Sequence, residues 1–259
     1  MIFSPTDVMD WLRCPQYRQH KQRWRLKDDE WTPNMLIGTM LHAAVAQVYR
    51  GLPNSEPMEP LLDAGWVEQE KWSKERVLKV AKGALSACMP KCLYILGHED
   101  VVAVESEILI DGEYAGTPDL ITRGDDGLIV TDLKFSLEVD PRYRVRRLAE
   151  YDCSYQLWAY ADLVQLIYGE LPAWLRVHQV YGLPKADDAI VTIRCTHERL
   201  DLWQLGAEVW QVRMQEDSSW PPLPNFTNCF GKYGKCDYYA ACHQCQNDPA
   251  LMEVLYAHR

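Results

Sequence analysis

No run of apolar residues in this 259-residue chain approaches the roughly 18 needed to cross a bilayer. The opening Met1-Ile2-Phe3-Ser4-Pro5-Thr6-Asp7 lacks the basic start and apolar core of a secretory signal, so a cytoplasmic protein without a membrane partner is expected. Internal repeats, low-complexity segments and flexible linkers are missing too. There is no Gly-x₄-Gly-Lys-Ser/Thr phosphate loop, so any nucleotide-driven motor must be another chain. An excess of positive charge is also lacking. The formal net charge of −10 argues against a nucleic-acid partner, because phosphate binding needs local positive charge.

The basic residues that are present are clustered, however. Arg13, Arg18, Lys21, Arg23, Arg25 and Lys27 fall in one stretch, and Arg142, Arg144, Arg146 and Arg147 in another. Each stretch reads either as a solvated helix face or as a phosphate-contacting surface. Hydrophobic residues at 47% and charged residues at 25% are ordinary for a globular protein, and the length suits one large domain with small attachments.

Nine cysteines in a cytosolic chain suggest metal before disulfides. Cys229, Cys236, Cys242 and Cys245 crowd one end, and Cys14 lies near the other. Cys88, Cys92, Cys153 and Cys195 are scattered through expected helices and strands and read as small buried apolar residues.

Ser4-Pro5-x-Asp7 begins a helix, with Ser as cap and Pro in the first turn, and Pro15 should interrupt it just after Cys14. Helices are expected over 33–51, much of 66–96, 145–168 and 197–215. Strands are expected over 101–110, 114–123, 128–136, 174–181 and 189–194, with Gly124-Asp125-Asp126-Gly127 as a hairpin turn. Pro221-Pro222-Leu223-Pro224 ends regular structure before the cysteine-rich tail. The order predicts an α/β fold, a mixed sheet flanked by helices. One unit, 1–259, is expected, with a mainly helical part to 100, a core over 101–217 and a terminal segment over 218–259.

The most informative stretch is Gly116-Thr117-Pro118-Asp119, followed by Leu128-Ile129-Val130-Thr131-Asp132-Leu133-Lys134. Side chains alternate along a strand, so Asp132 and Lys134 share a face, and Asp119 lies just across the hairpin. Two carboxylates and a lysine then converge at one sheet edge, in strands where unpartnered charge is costly. Phosphodiester hydrolysis uses such a set: carboxylates hold Mg²⁺ or Mn²⁺, and a lysine positions or activates the attacking water. The plain alternative is a surface Asp–Lys pair at the strand ends, worth about 0–1 kcal/mol. Glu105, on the preceding strand, reads as a surface or structural residue, with an additional carboxylate for the site as the other option.

Pro118-Asp119, a spacer and Asp132-x-Lys134 resemble the signature of the PD-(D/E)XK nucleases. The flanks sharpen the resemblance to the RecB-like branch. His42 in Gly38-Thr39-Met40-Leu41-His42 matches its upstream helical histidine, and Gln156-Leu157-Trp158-Ala159-Tyr160 matches its Gln-x-x-x-Tyr helix motif. The resemblance implies a restriction-endonuclease-like core and a DNA nuclease. His42, Asp119, Asp132 and the Leu133 carbonyl would be metal ligands, Lys134 the catalytic lysine, and Gln156 and Tyr160 would orient the site and the DNA backbone.

RecB-like nucleases with an iron–sulfur cluster take one cysteine before the core and three after it, and this chain looks similar: Cys14, then Cys229-x₆-Cys236-x₅-Cys242. The likeness extends to CRISPR-associated exonucleases, nuclease subunits of bacterial helicase–nuclease complexes and phage homologues. Many relatives carry Cys-x₂-Cys where this chain has x₆. A [4Fe-4S] cluster on Cys14, Cys229, Cys236 and Cys242 therefore stands beside a local zinc site on Cys229, Cys236, Cys242 and Cys245, and beside unligated thiols. The implied function is a Mg²⁺- or Mn²⁺-dependent nuclease for single-stranded or free-ended DNA, with Arg142, Arg144, Arg146 and Arg147 along the DNA path. A separate helicase or recombination protein would be its partner. A non-catalytic DNA-end-binding subunit is the rival reading, opposed by the intact His42, Asp119, Asp132 and Lys134.

Overall fold

The computed structural model describes residues 4–26, 32–52, 58–66, 72–110, 114–138, 140–183, 185–216, 229–231, 234–243 and 249–258. Along the chain, the described elements begin with α1 (Pro5–Arg13), α2 (Pro15–Arg23), β1 (Trp24–Leu26), α3 (Pro33–Tyr49), α4 (Met58–Gly65) and α5 (Lys74–His98). Then come β2 (Asp100–Val104), β3 (Ile108–Ile110), β4 (Tyr114–Gly116), β5 (Leu120–Gly124), β6 (Gly127–Glu138), α6 (Pro141–Glu150) and, after a 3₁₀ turn at Tyr151–Cys153, α7 (Tyr155–Tyr168). The rest are β7 (Trp174–Leu183), β8 (Asp187–Arg194), α8 (His197–Glu216), β9 (Phe230–Gly231), β10 (Gly234–Lys235), α9 (Tyr239–His243), α10 (Pro249–Leu255) and β11 (Tyr256–His258). Residue contacts divide the chain into two units, Trp31–Asp201 and Met1–Glu30 with Leu202–Arg259.

The larger unit holds a five-stranded sheet in the order β2-β5-β6-β7-β8. It is mixed: β6 and β7 run parallel, and the other neighbours are antiparallel. The β5–β6 hairpin turns at Asp125-Asp126, with Gly127 at φ +120°, a conformation side-chain-bearing residues rarely adopt. Alternation then sets the faces. Leu120, Leu133 and Val180 join the apolar core made with α3, α4 and α5, including Ile37, Met40, Leu41, Ala81, Ala84 and Ile95, all nearly fully buried. The helices start where their caps dictate: the Thr32 hydroxyl accepts from the Met35 N–H at 3.2 Å and the Ser73 hydroxyl from Arg76 at 3.3 Å. Helix α7 packs against β6 and the β3–β4 ribbon, and ends at Gly169 in the left-handed region.

Three expected elements are split. The strand expected over 101–110 breaks at Glu105, whose φ of +47° turns the chain out of β2. The strand expected over 114–123 breaks at Thr117-Pro118, since proline offers no N–H to a ladder. The helix expected over 145–168 is interrupted by the 3₁₀ turn, where the Asp152 carbonyl accepts from Arg199 Nη2 at 2.9 Å and Trp158 Nε1 at 3.2 Å. Pro15 does separate α1 from α2 just after Cys14. The Pro221-Pro222-Leu223-Pro224 break lies outside the described residues.

A buried polar group crosses this core. Arg176 pairs with Glu99 through two hydrogen bonds, at 2.5 and 3.1 Å, and Thr122 donates to the same carboxylate. Nearby, His178 Nε2 lies 2.6 Å from Asp188, which also takes Lys91 Nζ at 2.6 Å. Cys88 and Cys92 are fully buried as expected, but Cys92 is more than an apolar filler. A hydrogen bond from Cys88, reinforced by His178 and Tyr49, pulls its thiol down to about 5 against the cost of burial. Cys153, expected inside, is exposed.

In the smaller unit α1, α2, α9, α10 and short strand pairs surround a compact aromatic cluster. Tyr238 meets Tyr17 edge-on at 5.4 Å and stacks on His20 at 5.5 Å, and Tyr256 lies 5.4 Å away. Strand β1 pairs with β11, joining the first and last parts of the chain.

Candidate metal centre and nuclease site

The site is built where β5 begins and β6 runs on beyond it, still paired with β7, beside α3. Asp119, just before β5, is fixed from three directions. Its Oδ1 lies 2.9 Å from His42 Nδ1, its Oδ2 accepts the Leu133 N–H at 2.7 Å, and its carbonyl accepts the Glu105 N–H at 2.9 Å. Donor atoms of His42, Glu105 and Asp119 all lie within 4.8 Å of one another. Two carboxylates and an imidazole at that spacing fit a hard divalent cation, oxygen-rich and with room for water ligands.

Glu105, read from the sequence as a surface or structural residue with a place in the site as the other option, stands beside His42 and Asp119. It is held by Arg50, whose Nη2 reaches its carboxylate at 3.3 Å and the Val104 carbonyl at 3.2 Å. A left-handed backbone at a glutamate is strained, and here the strain turns the side chain toward His42 and Asp119. The available signal was an acid closing the apolar run Val101-Val102-Ala103-Val104, as Asp132 follows Leu128-Ile129-Val130-Thr131.

Asp132 and Lys134 face the same way, as alternation predicts. Lys134 Nζ lies 3.1 and 2.9 Å from the two Asp132 oxygens and 2.8 Å from Gln156 Oε1. Gln156 in turn donates Nε2 to the Tyr160 hydroxyl at 2.7 Å, the i, i+4 pair placed by α7. Burial pushes the Asp132 carboxyl up to about 6; Lys134 opposes the shift and Asp119 adds to it. For His42, burial disfavours the charged ring, but the Asp119 hydrogen bond and charge outweigh it and raise its pKa. Burial holds the Tyr160 hydroxyl protonated far above neutrality. Asp132 and Tyr160 are buried and Lys134 is half-buried, so with Gln156 the four side chains form, instead of a surface Asp–Lys pair, a converging set. Gly116 makes room for it: a Cβ there would lie 2.7 Å from Leu163 Cδ1 and 3.1 Å from the Tyr160 ring.

A cleft of about 590 Å³ opens over this set, bordered by Asn34, Met35, Thr39, His42, Lys134 and Phe135. That is room for a nucleotide. Behind it, Gln179, fully buried, donates to the Lys134 carbonyl at 3.2 Å and accepts from the Tyr151 hydroxyl at 2.5 Å.

The four expected arginines are placed unequally. Arg144 lies 4.1 Å over the Tyr181 ring and pairs with Asp187 at 3.2 Å. Arg146 is exposed and pairs with Glu150 at 3.0 Å, while Arg147 donates to Ser136 Oγ at 2.9 Å. The Arg142 side chain lies outside the described residues.

The cysteines gather in the smaller unit. Cys14 and Cys229 are buried, Cys236 and Cys242 partly so, and none of the four is in a disulfide. The Cys236 N–H donates to the Cys229 carbonyl at 2.8 Å. Burial, with the charges of Cys14, Cys236 and Cys229 close by, pushes the Cys242 thiol up to about 12. Cys245 lies outside the described residues.

A putative exonuclease from Eubacterium rectale is similar in structure, with TM-score 0.59 and 15% identity over 98% of this chain and 92% of that one. A weaker likeness, TM-score 0.34 at 12% identity over 67% of this chain and 87% of the other, is to an alkaline exonuclease from Laribacter hongkongensis. The same exonuclease in complex with dAMP gives TM-score 0.32 at 14% identity, over 68% of this chain and 87% of that one. No curated protein matches. The family model for the PD-(D/E)XK nuclease superfamily matches residues 2–243, and the chain belongs to that superfamily as a deoxyribonuclease, a hydrolase of phosphodiester bonds.

Proposed function

We propose that this nuclease is a Mg²⁺- or Mn²⁺-dependent exonuclease of the RecB-like branch, acting on single-stranded or free-ended DNA. The observation that carries the reading is the convergence of His42, Glu105, Asp119, Asp132 and Lys134 under an open cleft. His42, Glu105 and Asp119 would hold the cation, with Asp132 and the Leu133 carbonyl completing its oxygen donors. A bound cation supplies charge for the phosphoryl oxygens and acidifies water. Lys134 orients the attacking water and is kept in place by Gln156, which Tyr160 fixes in turn. Asp132, raised to about 6 in the absence of a cation, is ready to ionise when positive charge arrives.

The same proposal assigns a structural [4Fe-4S] cluster to Cys14, Cys229, Cys236 and Cys242. Its support is the gathering of thiols from opposite ends of the chain into one unit, against an aromatic shell of Tyr17 and Tyr238. Among the described residues no three of these sulfurs lie within 4.8 Å of one another, whereas thiolates on one zinc sit about 3.8 Å apart. Ligation would close a very long loop and hold both terminal segments together. The organisation that follows is one nuclease over 1–259, with the catalytic core at 101–217 and the cluster segment at 218–259. We place it in the cytoplasm, in DNA repair or recombination, beside a separate helicase or recombination protein.

The test is cleavage of end-labelled and circular single-stranded DNA by anaerobically handled protein in Mg²⁺ or Mn²⁺. Asp119→Ala, Asp132→Ala and Lys134→Ala should each lower cleavage by about 10²-fold or more while retaining the wild-type circular-dichroism spectrum. Efficient cleavage by Asp132→Ala would overturn the site, and equal cleavage of circles would overturn the exonuclease reading.

A further inference from the structure

Helix α8 carries a stripe that nothing in the nuclease site uses. Leu202, Leu205, Val209 and Val212 are 72, 61, 48 and 53% exposed, while Leu200 and Met214 are buried. The spacing of the exposed four is three, four, three, the a and d positions of one and a half heptads. Scattered exposed apolar residues are ordinary, but an aligned row on one helix marks a contact face.

Charge on the flanks of the row selects the occupant. In this register Glu208 is a g position and Arg213 an e position, and both are exposed. Two copies of α8 in parallel bring Glu208 of each beside Arg213 of the other, giving two opposite-charge pairs around the seam. An antiparallel pair would instead set Glu208 against Glu208 and Arg199 against Arg213, like against like. Val at a and Leu at d in the central layers also suit a two-stranded seam.

We propose that α8 is a self-association face through which two copies of this chain pair, parallel and about a two-fold axis. Such an interface is isologous, so each substitution acts twice. The seam is short, and the assembly is therefore governed by protein concentration.

Sedimentation velocity of the full-length protein over a hundredfold range of concentration tests this. The wild type should pass from monomer to dimer as concentration rises, and Leu205→Glu/Val209→Glu should remain monomeric throughout. Glu208→Lys alone and Arg213→Glu alone should each weaken association on the order of tenfold, because attraction becomes repulsion on both sides. The double exchange Glu208→Lys/Arg213→Glu should restore it. If the apolar variant loses its circular-dichroism spectrum, the surface charge exchange decides alone. A wild type that stays monomeric at every concentration overturns the proposal, as does a double exchange no better than either single change. An antiparallel dimer would show another pattern, with Glu208→Lys leaving association unchanged because lysine then faces lysine, and Arg213→Glu strengthening it.

Discussion

The backbone N–H of Leu133 donates to Oδ2 of Asp119 at 2.7 Å, so the peptide that joins Asp132 to Leu133 directly fixes the carboxylate just before the neighbouring strand. The two halves of the signature are therefore one rigid object. A shift of β6 along β5 would misplace Asp119 and Lys134 together.

That rigidity gives Glu105 a separable role. Glycine adopts φ +47° without the penalty a glutamate carries. Glu105→Gly should therefore leave the melting temperature unchanged or raise it slightly. Mn²⁺ affinity should fall by at least the order of 10–100-fold that even indirect supports of a metal site command. Isothermal titration with Mn²⁺ together with a thermal melt checks both, and undiminished Mn²⁺ affinity would remove Glu105 from the site.

Protonation of Asp132 should be visible in stability. Its folded value, about 6, lies above the ordinary 3.8, so the native state holds this proton more tightly than the unfolded chain does. The resulting stabilisation is complete below about pH 3.8 and is lost as pH rises through about 6. In EDTA, wild-type protein should lose stability relative to Asp132→Asn over that window. Added Mg²⁺ should return most of the loss above pH 6, because the cation binds the ionised carboxylate. Parallel denaturation curves for the two proteins across the window would contradict the assignment.

Freshly purified protein should be yellow-brown, with broad absorbance near roughly 400 nm from thiolate-bound iron. Cys14→Ser should bleach it and lower the melting temperature, and Cys245→Ser should do neither. Colourless protein with stoichiometric zinc and a silent Cys14→Ser would establish the zinc site instead.

The arginines of α6 are expected to differ. Arg146, exposed and paired with Glu150 one turn on, can exchange that carboxylate for a phosphate, and Arg147 sits beside Ser136 on β6. In Ca²⁺, which prevents cleavage, Arg146→Ala/Arg147→Ala should lower the slope of log affinity against log salt by about 0.7 per lost single-strand contact. Arg144, engaged by Asp187 and Tyr181, should matter less. Identical slopes would move the DNA path to the basic stretch from Arg13 to Lys27.

What could be read from residues alone was whatever depends on local period. Asp132 and Lys134 share a face by two-residue alternation, and Gln156 and Tyr160, to which the family resemblance pointed, share one by four-residue spacing; the structure joins all four in one hydrogen-bonded chain. The turn of Glu105 toward His42 and Asp119 was not legible because it rests on a backbone angle that alternation cannot express. The interruption at Tyr151–Cys153 escaped notice because tertiary donors from Arg199 and Trp158 claim the Asp152 carbonyl. Likewise, Cys92 looks apolar until β7 brings His178 against it.

Gly116 extends the reach of the site into what would pass for scaffold. Even an added methyl group there must displace Leu163 or Tyr160. Tyr160 leads through Gln156 to Lys134, so a steric change in the β3–β4 ribbon becomes an error in where a proton-bearing amine points. Natural or engineered variation at this position should therefore register first in turnover and only afterwards in thermal tolerance. Compensation should come from smaller residues at 163, on the facing side of α7, rather than from anything near the cation.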